Sequence, residues 1–541
     1  MEDNNLKNIP KEGFVGLLQN WRSDALSGFL VSLIALPLSL GIAAASGFPP
    51  IMGVLTAIIG GLLVAFFAGS ALTIKGPAAG LIVIVAGSVD ALGKGDAILG
   101  WQLTLGIIVV AGILQIILGI LKVASLANFF PLSAVHGMLA AIGIIIMSKQ
   151  LHFTLGIAPT ELAKKEPLEL LEMLPHSFMN MNYSIAIIGL VSLIILFGMP
   201  MIKNKYIKAI PAPLVVLLVG IGLGQVLNLS DPGFANLKPL VNPGKFELNF
   251  SNVNFTAFSG NTLATALSYL FLFTIIGSLE SLLTAKAIDL LDPWKRKARL
   301  NKDLIGVGIG NTITGLLGGL PMISEVARSS ANINNGGKTQ WANFFHSISL
   351  LLFVVLLVPI IKLVPMSALA AMLIYVGYRL ASPKTFFHAF ETGKDQLFVF
   401  VTTVIITLIT DLLVGIFAGI ILEVIIDLFN GQKLKNLFKA PVKIEQRENE
   451  YMINIEGACT FSNWISFEKK LNSIPNNADI YINAKNACFL DHTFMENILH
   501  LKDERIHEGG KLELIGTEGM KRFSSDCTSG CLRKSQTKQS Y

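Results

Sequence analysis

The chain has 541 residues, of which 52% are apolar and 14% charged, with a formal net charge of +6 and a mean hydropathy of +0.62. Apolar stretches long enough to cross a bilayer recur over most of its length, which excludes an ordinary water-soluble protein. The composition therefore predicts a polytopic membrane protein surrounded by lipid.

The N-terminus carries no evident cleavable signal peptide. Residues 1–11 are polar, and the first apolar segment opens only after the polar stretch 21–24. We therefore expect residues 1–24 to form a cytoplasmic N-terminus.

Fourteen apolar segments follow, and they predict an all-α transmembrane domain over 25–430. They lie near residues 25–46, 51–68, 78–90, 100–122, 127–147, 183–201, 209–228, 263–288, 302–318, 324–334, 342–363, 366–381, 394–410 and 412–430. They divide into two repeats of seven, about 25–228 and 263–430. Because seven is odd, the second copy must be inverted relative to the first, as in many secondary transporters. Positive residues such as Lys295, Arg296 and Lys297 fall in loops predicted to be cytoplasmic.

The third segment of each repeat is short and interrupted by proline. The first runs over 72–85 with Pro77, and the second over 318–330 with Pro321. Proline fixes φ and lacks an N–H, so each segment is expected to be extended up to the proline and helical just after it. Two helix N-termini would then meet, and their free N–H groups favour an anion.

Charged residues lie in or beside these segments. Glu280 follows a strongly apolar run, and a charge at bilayer depth costs roughly 2.5–3.5 kcal/mol, so it is expected to face a polar path. The alternative is a position near a helix end, in contact with water or Lys286. Arg328 would add a positive charge to the anion site, or else serve as a structural partner of Glu280 or Glu325. Further hydrogen-bond donors near this point are Ser324, Ser329 and Ser330.

Glycine is frequent between residues 306 and 319. The pattern resembles a phosphate-binding loop only superficially. In an apolar setting these glycines are expected to be positions of close helix packing.

Several ordered blocks resemble the sulfate permease (SulP) family of inorganic anion transporters. The blocks are residues 35–50, 76–80, 278–284, 301–304 with 308–311, 328–332 and 410–415. The resemblance covers nearly the whole chain. It implies two intertwined inverted repeats of seven spans each, with a core domain that carries the substrate and a gate domain against which it moves.

The resemblance also implies site residues, and a homodimer. In this family the anion lies between the N-termini of the third and tenth spans. The matching residues here are Pro77, Ala78, Ala79, Gly80, Ser324, Glu325, Val326, Ala327 and Arg328. The acidic position of the eighth span is associated with cation coupling, and here it is Glu280, with Thr284 one turn further on.

The coupling ion expected from these residues is a proton. The sodium-coupled bicarbonate carriers have aspartate where this chain has Glu280, so Na⁺ is the less favoured coupling ion. Glu325 is a departure, because most relatives have a small or hydroxylated residue there. It could repel substrate, pair with Arg328 or carry the proton, and we expect a protonatable Glu325 at the helix N-terminus. No other cofactor, no metal site and no nucleic-acid partner are expected.

After residue 433 the composition becomes that of a soluble α/β domain. Strands near 451–457 and 478–484 alternate with helices near 462–473 and 491–507, and the domain, about 440–523, resembles the STAS domain of the family. Asp491 is expected to cap the second helix, although this turn could instead contact a nucleotide or a cytosolic partner. The tail 524–541 is predicted to be disordered. The four cysteines lie beyond residue 458, where reduced cytosolic thiols are expected.

Together these features predict a secondary active symporter of a small inorganic anion, bicarbonate or sulfate, driven by protons through alternating access. The expected location is the inner (plasma) membrane, with both termini cytoplasmic. Alternatives are a sodium-coupled bicarbonate symporter, an uncoupled anion channel, and a proton-coupled nucleobase carrier of the same fold. An enzyme is not expected, because no Cys/His pair, serine nucleophile motif or metal cluster is evident in the sequence.

Overall fold

The computed structural model describes residues 9–124, 130–162, 165–204, 210–244, 250–447, 450–475, 478–507 and 510–533. The chain divides into two compact units, one of residues 1–124 and 142–379 and the other of 125–141 and 380–541. The predicted beginning of the fifth span at 127, the first eight residues and the end of the predicted tail from 534 lie outside the described residues.

Helices dominate the first half of the chain. They are α1 (Gly13–Ala45), α2 (Pro50–Leu62), α3 (Val64–Phe67), α4 (Ile82–Gly93), α5 (Ala97–Ile120), α6 (Leu132–Thr154), the short α7 (Pro159–Leu162), α8 (Pro167–Glu172) and α9 (Leu174–Met179), then α10 (Tyr183–Gly198) and α11 (Ala212–Val226). A three-residue strand, β1 (Lys75–Pro77), and a 3₁₀ turn (Ala79–Leu81) precede α4.

The second half repeats this arrangement. Its helices are α12 (Leu263–Leu291), α13 (Leu300–Leu316), α14 (Val326–Asn334), α15 (Trp341–Ile361), α16 (Met366–Leu380), α17 (Pro383–Thr392), α18 (Lys394–Ile409) and α19 (Leu412–Phe429). Strand β2 (Met322–Ser324) precedes α14. In the first half, β1 precedes the 3₁₀ turn and α4 in the same way.

Each of the fourteen predicted apolar segments coincides with a helix, although not each helix is long enough to span a bilayer by itself. Within the described residues, eight helices are long and apolar enough to cross a membrane, and two further apolar helices are shorter. Large aliphatic side chains such as Ile194, Leu218 and Val355 point outward, as lipid-facing residues do. The total of fourteen spans stays a prediction.

Glycines allow helices of the first unit to approach closely. A Cβ at Gly308 of α13 would lie 2.7 Å from the carbonyl oxygen of Gly112 on α5, and one at Gly112 would lie 2.5 Å from the nitrogen of Thr312. Neither space admits a larger side chain. This confirms the interpretation of the glycines near 308 as packing positions.

The C-terminal domain is an α/β structure of two four-stranded sheets. Its strands are β3 (Val442–Arg447), β4 (Glu450–Ile455), β5 (Ala458–Cys459), β6 (Asp479–Asn483), β7 (Phe489–Leu490), β8 (Leu512–Ile515), β9 (Met520–Arg522) and β10 (Cys531–Arg533). One sheet has the order β3-β4-β6-β8 and the other β5-β7-β10-β9. Helices α20 (Trp464–Leu471) and α21 (His492–His507) connect parallel strands, as the predicted βαβ pattern requires.

The ordered part of this domain extends further than the sequence predicted. Residues 524–533 were assigned to a disordered tail, whereas β10 pairs with both β7 and β9. The segment before it is polar, so hydropathy gave no sign of the strand. Buried aromatic residues, among them Trp464, Phe467 and Phe494, fill the core.

Candidate functional site

The two interrupted segments meet in the first unit. Strands β1 and β2 pair antiparallel, with Lys75 opposite Ser324 and Pro77 opposite Met322. The helical parts that follow the two strands therefore begin beside each other. The prediction of two broken segments whose N-terminal ends converge is confirmed.

The second helix begins later than predicted. In the first segment the chain is extended up to Pro77 and helical from Ala79, as expected. In the second, α14 begins only at Val326, and Glu325 before it is still extended (φ −98°, ψ 118°), so the predicted beginning just after Pro321 was wrong. Pairing with β1 occupies the intervening backbone and delays the helix.

Side-chain amides supply hydrogen bonds to the irregular backbone of these segments. Inside a membrane, the backbone groups of a broken helix must find such partners within the protein. Asn311 of α13 accepts a hydrogen bond from the N–H of Met322 at 2.6 Å and donates one to its carbonyl oxygen at 3.2 Å. Asn343 of α15 accepts from the N–H of Lys75 at 3.2 Å. These bonds hold the two strands in place.

A buried ion pair that sequence reasoning missed lies behind the strands. The ammonium group of Lys75 donates to both carboxylate oxygens of Asp303 at 2.8 and 2.9 Å, and also to the hydroxyls of Thr73 and Ser324. Both charged side chains are 0% exposed. Because its charge and its donors are already used, Lys75 is not a free anion ligand. The signal was available, since intramembrane charges commonly pair with one another.

Arg328 carries a positive charge whose donors are not all used. Its side chain is 1% exposed, and Nη2 donates to the hydroxyl of Ser39 at 3.2 Å. Within the described chain, Nε and Nη1 have no hydrogen-bond partner, and no ion pair to Glu280 or Glu325 lies within 4 Å. Any side chain at Gly76 would collide with Nη1. Two of the three guanidinium nitrogens of Arg328 therefore have unused donors within the described residues.

Two carboxyl groups flank the same point. Glu280 lies in the middle of α12, not near its end, and its Oε2 is buried without a hydrogen-bond partner in the described residues. A Cβ at Gly80 would collide with this carboxyl group. Glu325 reaches across the strands, and its Oε1 accepts a hydrogen bond from the N–H of Ala79 at 3.3 Å. A carboxylate of the protein itself therefore lies at the N-terminus of the first helical turn.

The other predicted site residues differ in their exposure. Ala78 and Thr284 are buried, Ala327 is half-buried and Val326 is 44% exposed. The hydroxyl of Ser324 is engaged with Lys75, so it is not free to bind a substrate.

Two more groups complete the surroundings of Arg328. The hydroxyl of Ser329 donates to the carbonyl oxygen of Glu325 at 2.6 Å and accepts from the N–H of Ile74 at 2.9 Å, so it too is used within the protein. Sequence reasoning did not identify His346 of α15. It is fully buried within electrostatic range of Arg328, and neither ring nitrogen has a partner among the described residues.

Comparison with known proteins agrees with this architecture. The model of the sulfate permease family matches residues 21–403. A putative sulfate transporter of Bacillus subtilis, YvdB, is 24% identical over 93% of this chain and 92% of its own length. The bicarbonate transporter BicA of Synechocystis is 24% identical over 73% of this chain and 67% of its own. The inward-facing structure of the murine anion transporter Slc26a9 superposes with a TM-score of 0.66 at 15% identity, covering 91% of this chain and 85% of that one.

Proposed function

Because the chain belongs to the sulfate permease family, we propose that it is a secondary active transporter that carries a small inorganic anion together with a proton by alternating access. Sulfate and bicarbonate are the proposed substrates, since relatives over most of the chain are named as transporters of these ions. The proposal includes a plasma-membrane location with both termini cytoplasmic, a homodimer, and a soluble domain that is open to a cytosolic partner.

The observation that carries the proposal is the unused donor capacity of Arg328. A buried guanidinium group without partners for two of its nitrogens is unfavourable unless an anion supplies them. The N–H of Ala79 points to the same place from the first helical turn. A tetrahedral or planar oxyanion offers several oxygens to such donors, which makes it a better match than a monatomic ion.

Glu325 supports coupling to a proton. Its carboxylate takes the hydrogen bond from Ala79 that a substrate oxygen would need. A proton on Glu325 would remove the negative charge that competes with the substrate and repels it. An incoming anion would then replace the carboxyl group at the helix N-terminus, so anion and proton would load together.

Glu280 is proposed as the second protonatable group, as its unpartnered Oε2 suggests. Its carboxyl group and the hydroxyl of Thr284 would also be suitable oxygen ligands for Na⁺, which keeps the sodium-coupled alternative testable. A channel would use the same positive charge without coupling, and a nucleobase carrier would use the same fold with a neutral ring as substrate.

Uptake into proteoliposomes tests the proposal. With an inward proton gradient, we expect the wild-type protein to accumulate labelled sulfate or bicarbonate above equilibrium. Arg328→Gln should abolish saturable uptake, whereas Arg299→Gln, at a side chain that is 57% exposed, should behave as wild type. Glu280→Gln should retain anion exchange and lose accumulation.

The alternatives give different results in the same assay. Accumulation driven only by a sodium gradient would indicate sodium coupling, and purely downhill flux would indicate a channel. Competition by uracil but not by sulfate, bicarbonate or dicarboxylates would indicate a nucleobase carrier. Full activity of Arg328→Gln would contradict the proposed anion site.

A further inference from the structure

Three buried carboxyl groups meet in the second unit of the chain, and the transport site uses none of them. Glu423 and Asp427 lie one turn apart on α19, and Asp491 immediately precedes α21 of the soluble domain. Each residue is at most 1% exposed. Three oxygens, one from each carboxyl group, all lie within 4.8 Å of one another.

Asp427 is fully buried and directed into this cluster without a hydrogen bond. Neither of its carboxylate oxygens has a partner in the described part of the chain, although the Thr460 hydroxyl lies beside them. Oε2 of Glu423 is likewise unpartnered, while its Oε1 accepts from Nε2 of Gln396 at 2.9 Å. Such buried oxygens require either a proton or a cation.

Asp491 is better satisfied. Its Oδ1 accepts from the N–H of Phe494 at 2.6 Å, which confirms that it caps α21, and its Oδ2 accepts from the N–H of Phe461 at 2.6 Å. Carboxylate oxygens have further lone pairs, so both can still coordinate an ion. Even here burial raises the pKa of Asp491 to about 7.

Within the part of the chain that the structure describes, no positive side chain neutralises the cluster. Among the described residues, none of the three carboxyl groups forms an ion pair with lysine, arginine or histidine, and Asp395 adds a further negative charge nearby. The nearby ring of His492 is engaged elsewhere, with Glu496 at 3.2 Å and the carbonyl oxygen of Thr528 at 2.9 Å. Like charges one turn apart destabilise a helix, and burial increases their repulsion.

We propose that Glu423, Asp427 and Asp491 bind a hard divalent cation, Mg²⁺ or Ca²⁺. Both ions prefer oxygen ligands, at about 2.0–2.1 Å for Mg²⁺ and 2.3–2.6 Å for Ca²⁺, so that oxygens on opposite sides of one ion lie about 4–5 Å apart. The separation of the three carboxyl groups fits this range. Carboxylates alone are poor ligands for the softer metals that prefer thiolate or imidazole.

A bound ion would connect α19, a membrane-spanning helix by length and composition, to the strand–helix turn at Asp491. The proposal does not rest on the transport function. In this proposal, the bound cation links the membrane domain to the soluble domain at the Asp491 turn. Divalent cations in the surrounding solution would strengthen this link.

Calorimetric titration of the full-length protein in detergent tests the proposal. After treatment with EDTA and dialysis, MgCl₂ and CaCl₂ are added in separate experiments, with NaCl at equal ionic strength as the control. We expect one ion per chain with a dissociation constant below about 10⁻³ M, within the range of known carboxylate sites. We also expect a saturable rise in the midpoint of thermal unfolding. The tighter of the two ions identifies the occupant.

Two variants locate the site. Asp427→Asn and Glu423→Gln should each weaken binding by at least about tenfold, since even indirect changes around a metal site cost that much. Both should raise the metal-free unfolding midpoint, because they remove repulsion. Glu391→Gln, at an exposed side chain, should leave binding unchanged. Absence of saturable binding to the wild type would overturn the proposal, and so would unchanged binding by both variants. Proton sharing alone would give the first of these results.

Discussion

Replacing Lys75 with methionine removes one half of the ion pair behind the site. Methionine is similar in length, so the change mainly deletes the ammonium group and its four contacts with Asp303, Thr73 and Ser324. Asp303 would keep its bonds from the N–H groups of Gly69 and Ser70, both at 3.2 Å, and from the hydroxyl of Ser324 at 3.3 Å. Breaking a buried pair by removing one partner costs about 3–5 kcal/mol, and the three remaining bonds to Asp303 place the expected loss at the lower end, at about 3 kcal/mol.

A double-mutant cycle isolates the pair itself. Asp303→Asn should be destabilising by a similar amount, because it leaves the Lys75 charge buried. The combined variant should lose less than the sum of the two, with a coupling of about 2–3 kcal/mol. Reversible unfolding in mixed micelles, followed by tryptophan fluorescence, measures the free energies. A loss below about 1 kcal/mol for Lys75→Met, or strict additivity, would refute this account of the pair.

Two further predictions concern close contacts and thiols. Gly80→Ala should reduce uptake because its Cβ would displace the Glu280 carboxyl group, whereas Gly198→Ala, where a Cβ meets nothing within 4 Å, should transport normally; equal uptake by both would contradict a role for this position of Glu280. In maleimide labelling of the native protein, Cys527 should react rapidly. Cys459 should react only after denaturation, because burial raises the pKa of its thiol well above the usual range, and mass spectrometry of the labelled peptides decides between them.

Patterns local in the sequence predicted most of the fold. The apolar segments gave every main helix of the transmembrane region to within a few residues at most ends, and Pro77 marked the first interruption correctly. Pro321 did not mark where α14 begins, because the intervening residues pair with a strand nearly 250 positions earlier. That pairing is a tertiary effect which no local pattern contains.

The sequence predicted individual residues of the site better than it predicted the contacts between them. Arg328 and Glu280 were recognisable as charges in apolar surroundings, and the structure places both beside the β1–β2 pair. That Lys75 is neutralised by Asp303 could not be read from either residue alone, since 228 positions separate them. The acidic cluster of α19 was missed because its third member belongs to the soluble domain.

The pairing of β1 with β2, and of Lys75 with Asp303, has a consequence for biosynthesis. At roughly 5–20 residues per second, the ribosome adds the 228 residues that separate Lys75 from Asp303 in about 10–50 s. During that interval the nascent first repeat holds an ammonium group and an open strand edge with no counterpart yet made. The nascent first repeat must therefore keep these groups hydrated, outside the hydrocarbon core, until the second repeat has been synthesised.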